Sequence, residues 1–175
     1  MGVKNMQFGF LAFNNVPGSI GKAEKSEIGI AWLDNDALNA ISRCKAVSDL
    51  VVLMVNWGTE YVHKPREIEV AWAQKLVNYG ADIILGDQAH WVQQHQTINQ
   101  AHVSYGLGNY IFDQHWSEKT KEGILQTFVV YNKKLQYVHT IPVKLNRKGG
   151  VDIVPQGSST YHQILSVYET EVNKK

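Results

Sequence analysis

VVLMVNWGTEY (51–61) and DIILGDQAHWVQ (82–93) are two short apolar runs, each turning near a glycine into a polar, aromatic loop. Val51 to Val55 is continuously apolar, the mark of a strand buried on both faces. Ile83, Ile84 and Leu85 repeat that mark. Between the two, residues 67–79 place Ile68, Ala71, Trp72, Leu76 and Tyr79 on one predicted helical face, with acidic residues in the first turn and Gly80 as the stop. Strand, helix, strand is the parallel crossover unit. In such sheets ligands bind beyond the carboxyl ends of the strands. Asn56, Trp57, Glu60, Asp87, Gln88 and His90 all follow those ends.

Outward from this unit, MQFGFLAF (6–13) reads as a further buried strand, closed by Asn14, Asn15, Pro17 and Gly18. EIGIAWL (27–33) reads as a loop with a brief extended piece. Asp34 or Asp36 can cap a helix carrying Leu38, Ile41 and Val47 at roughly helical spacing. After Gly86 the texture changes. Residues 92–98 and 102–106 read as strands joined at Asn99-Gln100-Ala101, and 107–123 as largely loop. Residues 124–131 and 135–145 read as a hairpin around Asn132-Lys133-Lys134, with alternation of period 2 in both arms. A short strand at 151–154 and a surface helix at 161–172 complete the chain. The fold class is α/β in front and antiparallel β behind, a layered sandwich.

Composition narrows the function classes. The 175 residues are 44% apolar and 19% charged, ordinary for one globular domain. Net charge is +1 with scattered Lys and Arg, so no nucleic-acid footprint is expected. Cys44 is the single cysteine and reads as a small packing residue. No apolar run approaches the roughly 18 residues of a membrane span. The N-terminal stretch reads as a strand rather than a signal peptide. No Gly-x-Ser-x-Gly nucleophile motif and no phosphate-cradling glycine loop occur. Trp57, Trp91 and Trp116 fall in loops near the predicted crevice, as packing residues or as a flat platform for a sugar or polymer. The seven histidines show no paired metal-ligand spacing, and His102 and His139 read as structural.

Four motifs together resemble the CapA-like capsule-synthesis family, associated with poly-γ-glutamate export and assembly and similar to the calcineurin-like metallophosphoesterases. The family's His-Trp-Gly-x-Glu-Tyr is matched by Asn56-Trp57-Gly58-Thr59-Glu60-Tyr61, and its Gly-Ala-Asp junction by Gly80-Ala81-Asp82. Its Gly-x-His-Pro-His is matched by Gly86-Asp87-Gln88-Ala89-His90. Its Leu-Gly-Asn-Phe-x-Phe-Asp-x is matched by Leu107-Gly108-Asn109-Tyr110-Ile111-Phe112-Asp113-Gln114. The resemblance spans residues 6–145. It implies the C-terminal half of a calcineurin-like layered α/β sandwich, with a partial CapA-like domain over 1–158 and a C-terminal helix and tail over 159–175. It also implies catalytic positions at His90, Asp87 and Glu60, and substrate-binding positions at Asn56, Trp57, Gln88, Trp91, Asn109 and Asp113. His90 would be the one metal ligand, in a weak and incomplete site.

Two departures shape the functional expectation. The family's opening half, with its Gly-Asp and Asn-His motifs, has no counterpart; no Asp or His precedes residue 34. Asn56 and Gln88 also stand where the family has imidazoles, and an amide oxygen does not replace imidazole nitrogen for a zinc- or iron-type ion. A dinuclear hydrolytic site needs several carboxylates and imidazoles. A divalent metal (Mn, Fe, Zn or Mg) is therefore expected only with a complementary half, and none in the isolated chain. The expected partners are an N-terminal half-domain or a second copy, with polyglutamate or polysaccharide as a polymer ligand. The family setting is the cell envelope, with no signal peptide or anchor expected in this chain. The leading expectation is a capsule or poly-γ-glutamate biosynthesis protein of the CapA type, truncated or split, with a degenerate metal site. The alternatives are a phosphoesterase-type hydrolase completed by a second chain and a non-enzymatic polymer-binding module.

Overall fold

The apolar runs form the centre of a six-stranded sheet. A computed structural model describes residues 1–16, 21, 28–170 and 172. In chain order the elements are β1 (Gly2–Val3), β2 (Met6–Asn14), α1 (Asn35–Ala46), β3 (Leu50–Asn56), α2 (Glu67–Asn78), β4 (Ile83–Asp87), β5 (His95–Ile98) and β6 (Ala101–Ser104). Then come β7 (Glu122–Tyr131), β8 (Lys134–Leu145), β9 (Val151–Ile153) and α3 (Ser159–Tyr168). The large sheet has the order β1-β2-β3-β4-β6-β5. Its inner neighbours β2, β3, β4 and β6 run parallel, and the outer β1 and β5 are antiparallel. A second, antiparallel sheet has the order β7-β8-β9.

One face of the large sheet is closed by helices. Val51, Leu53 and Val55 pack with Leu38 and Ile41 of α1 and with Ala73 and Leu76 of α2. Asp34 caps α1, its carboxylate accepting from the amides of Asp36 (2.9 Å) and Ala37 (3.2 Å). The helix ends at Ala46, so Val47 is its C-cap and 76% exposed rather than part of the apolar face. On α2 the buried face is Glu69, Ala73 and Leu76, while Ile68 and Tyr79 point outward. The predicted face is displaced because Glu69 closes a capping box: its carboxylate accepts from the Arg66 amide at 2.7 Å and pairs with the Arg66 guanidinium. A carboxylate satisfied in that way can be buried.

The other face is only partly covered. The second sheet lies over its β6 side, where Ser104 Oγ donates to Gln126 Oε1 at 3.0 Å and Phe128 meets His102 edge-on. Strand alternation puts Phe10, Ala12 and Met54 on this face, and the register aligns Ala12 with Met54. Phe10 is 58% and Met54 57% exposed. Among the described residues, no strand pairs with the outer edge of β2 between Phe8 and Asn14.

Both later hairpins turn tighter than predicted. Asn99-Gln100 and Asn132-Lys133 each have positive φ at both residues, the signature of a two-residue primed turn. Ala101 and Lys134 are thereby released into strands. Part of 27–33 lies outside the described residues; within the rest, Trp32 makes a parallel bridge to Asn14. The predicted surface helix starts at Ser159, and its inner side is not surface. Ile164 and Tyr168 are buried in a second cluster with Val92, Ile124 and Val154.

Candidate functional site

Three strand ends meet at the site. Asn14, Asn56 and Asp87 close β2, β3 and β4 and are register partners, Asn14 with Asn56 and Asn56 with Asp87. Asn56 Nδ2 donates to Asn14 Oδ1 at 2.8 Å, and the Asn15 amide donates to the Asn56 carbonyl at 2.8 Å. Beyond the strands, the Tyr61 amide bonds the Ala89 carbonyl at 2.8 Å and ties the loop after β3 to the loop after β4. Gln88 Nε2 donates to Glu60 Oε1 at 2.8 Å across the same pair of loops, and the Gln88 amide bonds the Asp87 carboxylate.

His90 faces a third loop. Its Nδ1 lies 3.0 Å from Asn109 Oδ1. Asn109 is buried, and its Nδ2 donates to the Thr120 carbonyl at 2.8 Å, which leaves Oδ1 as the acceptor for His90. Nδ1 of His90 therefore carries the proton, and Nε2 holds the lone pair in the neutral ring. The ring sits between Tyr61 (centroids 5.8 Å) and Phe112 (5.2 Å). Tyr61 in turn meets Trp116 edge-on at 4.9 Å. Asn56, Asp87, Gln88, His90 and Asn109 line a groove of about 670 Å³ between the sheet ends and β7, and Met54 and Phe112 give it apolar walls.

Backbone strain concentrates here. Among the described residues, nine non-glycine positions have positive φ; six are paired in hairpin turns, and the other three are Tyr61, Gln88 and His90. Such conformations persist where surrounding structure holds them, and they cluster at functional sites.

The remaining predicted positions divide. Trp57 is wholly buried, its Nε1 donating to the Tyr105 carbonyl at 3.0 Å and its ring stacked on Tyr105. It is a core residue and has no face to offer a ligand. Gly86 makes this possible, since a Cβ there would lie 2.3 Å from Trp57 Nε1 and 1.9 Å from the Tyr105 carbonyl oxygen. Trp91 is half-buried against His63 (4.8 Å) and the edge of Tyr61 (6.3 Å), and among the described residues its Nε1 has no hydrogen-bond partner. Asp113 is exposed and outside the groove, its carbonyl accepting from the His115 amide. Asn14 belongs to the site by contact although sequence reasoning treats it only as a strand terminator. An apolar strand ending in Asn, as β3 also does, is the signal that was present.

The donor set can be judged against a metal. Among the described residues, no three His, Cys, Asp or Glu side chains are grouped to hold one ion. His90 Nε2 is presented as a ligand nitrogen would be, with Nδ1 oriented by an amide oxygen. Glu60 and Asp87 are both engaged by Gln88. One imidazole with two such carboxylates does not match a dinuclear centre.

The arrangement is that of an α/β protein with a mixed sheet and a site at the carboxyl ends of parallel strands. The family model for bacterial capsule synthesis proteins, PGA_cap, matches residues 2–114. The chain is 34% identical over 150 residues to "Capsule biosynthesis protein CapA" of Bacillus anthracis, covering 82% of this chain and 35% of that protein. It is 30% identical over 125 residues to "PGA biosynthesis protein CapA" of Bacillus subtilis (strain 168), covering 71% of this chain and 33% of that one. A hypothetical protein from Thermus thermophilus, known from its crystal structure, shares the fold, with a TM-score of 0.51 and 11% identity over 89% of this chain and 61% of that one. The chain belongs to the PGA_cap family of bacterial capsule synthesis proteins. It spans about a third of the length of the two Bacillus relatives.

Proposed function

We propose that this chain supplies one wall of a CapA-type capsule or poly-γ-glutamate biosynthesis site, with a degenerate metal-binding set that needs a complementary half. One observation carries the reading: Asn56 and Gln88, neutral amides, occupy the strand-end positions beside Asp87, while His90 alone offers an imidazole nitrogen to the groove. The open face at Phe10 and Met54 adjoins that groove, as does the stretch of β2 between Phe8 and Asn14, whose outer edge no described strand pairs. Water would reach those apolar side chains unless another sheet or a second copy packed there. In this reading the complementary surface is an N-terminal half-domain or a second copy, and no hydrolytic step is assigned to the chain alone. Replacing Asn56→His and Gln88→His tests the ligand argument by calorimetric titration with Zn or Mn. The double variant binds either ion more tightly than the parent, because two nitrogen donors join His90. Equal affinities would remove the degenerate-site reading.

A second reading has its own support. Trp116, Tyr61, His90 and Phe112 form a continuous run of ring contacts that reaches the groove at His90 and Phe112, and Trp116 is 62% exposed. Flat exposed rings suit a polymer chain. Binding of polyglutamate that is lost in Trp116→Ala and kept in the amide-to-imidazole variant would favour a non-enzymatic polymer-binding module.

A further inference from the structure

A second groove, of about 530 Å³, lies at the other end of the parallel strands, between the β5-β6 hairpin, β8 and α3. His102 pairs with Ile83 at the start of β4, whereas the candidate site lies beyond Asp87 at its end. The two grooves share no lining residue.

Behind its wall, His102 and Tyr168 join Ser104 and Gln126 in a closed set of hydrogen bonds. Ser104 Oγ donates to Gln126 Oε1 at 3.0 Å. Gln126 Nε2 donates to the Tyr168 hydroxyl at 2.6 Å. His102 Nε2 lies 3.0 Å from both the Tyr168 hydroxyl and Ser104 Oγ, which are themselves 3.0 Å apart. His102 Nε2 is thus committed to this set, which leaves Nδ1 as the ring nitrogen available to the groove. Burial, with His95 nearby, lowers the His102 pKa to about 4, so the ring is neutral at neutral pH. His95 is oriented by a separate contact. Its Nδ1 lies 2.7 Å from the Tyr168 carbonyl oxygen, which can only accept, so Nδ1 carries the proton and Nε2 the lone pair. The two rings stack with centroids 5.9 Å apart. Neither His102 Nδ1 nor His95 Nε2 has a hydrogen-bond partner among the described residues, and neither is sealed from solvent.

The wall therefore presents two neighbouring imidazole nitrogens, His102 Nδ1 and the lone pair of His95 Nε2, and a hydroxyl, which both donates and accepts, can bond either. The lining contains no Lys or Arg and one carboxylate, Glu169. An anionic chain would meet Glu169 with no counter-charge. No three ligating side chains are grouped there for a metal among the described residues. What remains is an uncharged ligand with adjacent donors and acceptors and an apolar face for the rings of Tyr137 and Tyr161. We propose that this groove is a binding site for a neutral carbohydrate, seated on the His95–His102 pair. Its volume falls within the range of small-ligand sites.

The experiment is calorimetric titration of the full chain with maltotetraose, cellotetraose and chitotetraose. At least one binds with a dissociation constant near or below about 1 mM. His95→Phe keeps the stacking and removes the acceptor, and it weakens that binding at least about tenfold. Trp116→Ala, at the other end of the strands, leaves it unchanged. Should His95→Phe not fold, the exposed pair His139→Ala and Gln136→Ala gives the same readout. The proposal is overturned if none of the three sugars binds, if the groove variants bind as the parent does, or if Trp116→Ala abolishes binding.

Discussion

His90 Nδ1 stands 3.0 Å from Asn109 Oδ1, and this contact joins the loop after β4 to the loop that precedes β7. Asn109 is the more committed partner, because its Nδ2 also holds the Thr120 carbonyl. Asn109→Ala leaves a buried carbonyl and the His90 N–H without their partner. The expected cost is about 1–3 kcal/mol of folding stability. Urea unfolding measures it, and the His90 ring resonances in NMR report the accompanying loss of a fixed orientation.

Gly86 is held by space. With a Cβ 1.9 Å from the Tyr105 carbonyl oxygen and 2.3 Å from the Trp57 indole nitrogen, Gly86→Ala must displace backbone or the largest core side chain. Destabilisation of about 3 kcal/mol or more is expected, or failure to fold. A thermal melt within a few degrees of the parent would show that Trp57 has room to move.

The uncovered sheet face is expected to drive association. Phe10→Lys with Met54→Lys replaces two exposed apolar side chains and should cost little stability. Sedimentation velocity should show self-association of the parent at high concentration and a monomer for the double variant. A parent that stays monomeric and unfolds cooperatively at high concentration would argue against an unmet partner surface.

His102 gives stability a pH dependence. Its folded pKa of about 4 lies below the ordinary value of 6.5, so between these values the unfolded chain binds more protons. The stabilising contribution is present above about pH 6.5 and is lost as pH falls through 4. The shift corresponds to on the order of 3 kcal/mol. His95 from β5, Tyr168 from α3, Glu169 at the cap of that helix, and His139 from β8 line the same groove. His102→Gln should flatten the pH dependence of urea midpoints over that window, while an unchanged slope would place the titration elsewhere.

The parallel core was legible in the sequence because strands buried on both faces need uninterrupted apolar runs, as at Val51–Val55 and Ile83–Leu85. The meeting of Asn56 with Asp87 follows from that core, since neighbouring parallel strands align their carboxyl ends. The burial of Trp57 was not legible, because a tryptophan just past a strand resembles a loop residue. Only the missing Cβ of Gly86, 29 positions on, opens the slot that buries it. The inward turn of Glu69 was hidden because charge ordinarily marks an outward face, and its partner Arg66 acts as a cap rather than as part of the helical pattern. The positive φ values of Tyr61, Gln88 and His90 had no sequence signal, since none is a glycine or asparagine. Loop-to-loop bonds impose them.

The most direct measurement is elemental analysis of the purified chain for Mn, Fe, Zn and Mg, paired with a phosphodiesterase assay in added manganese. A wall lacking imidazoles at Asn56 and Gln88 predicts well below one equivalent of any ion and no metal-dependent turnover. Stoichiometric metal, with phosphodiester hydrolysis that a chelator abolishes and metal restores, would contradict it.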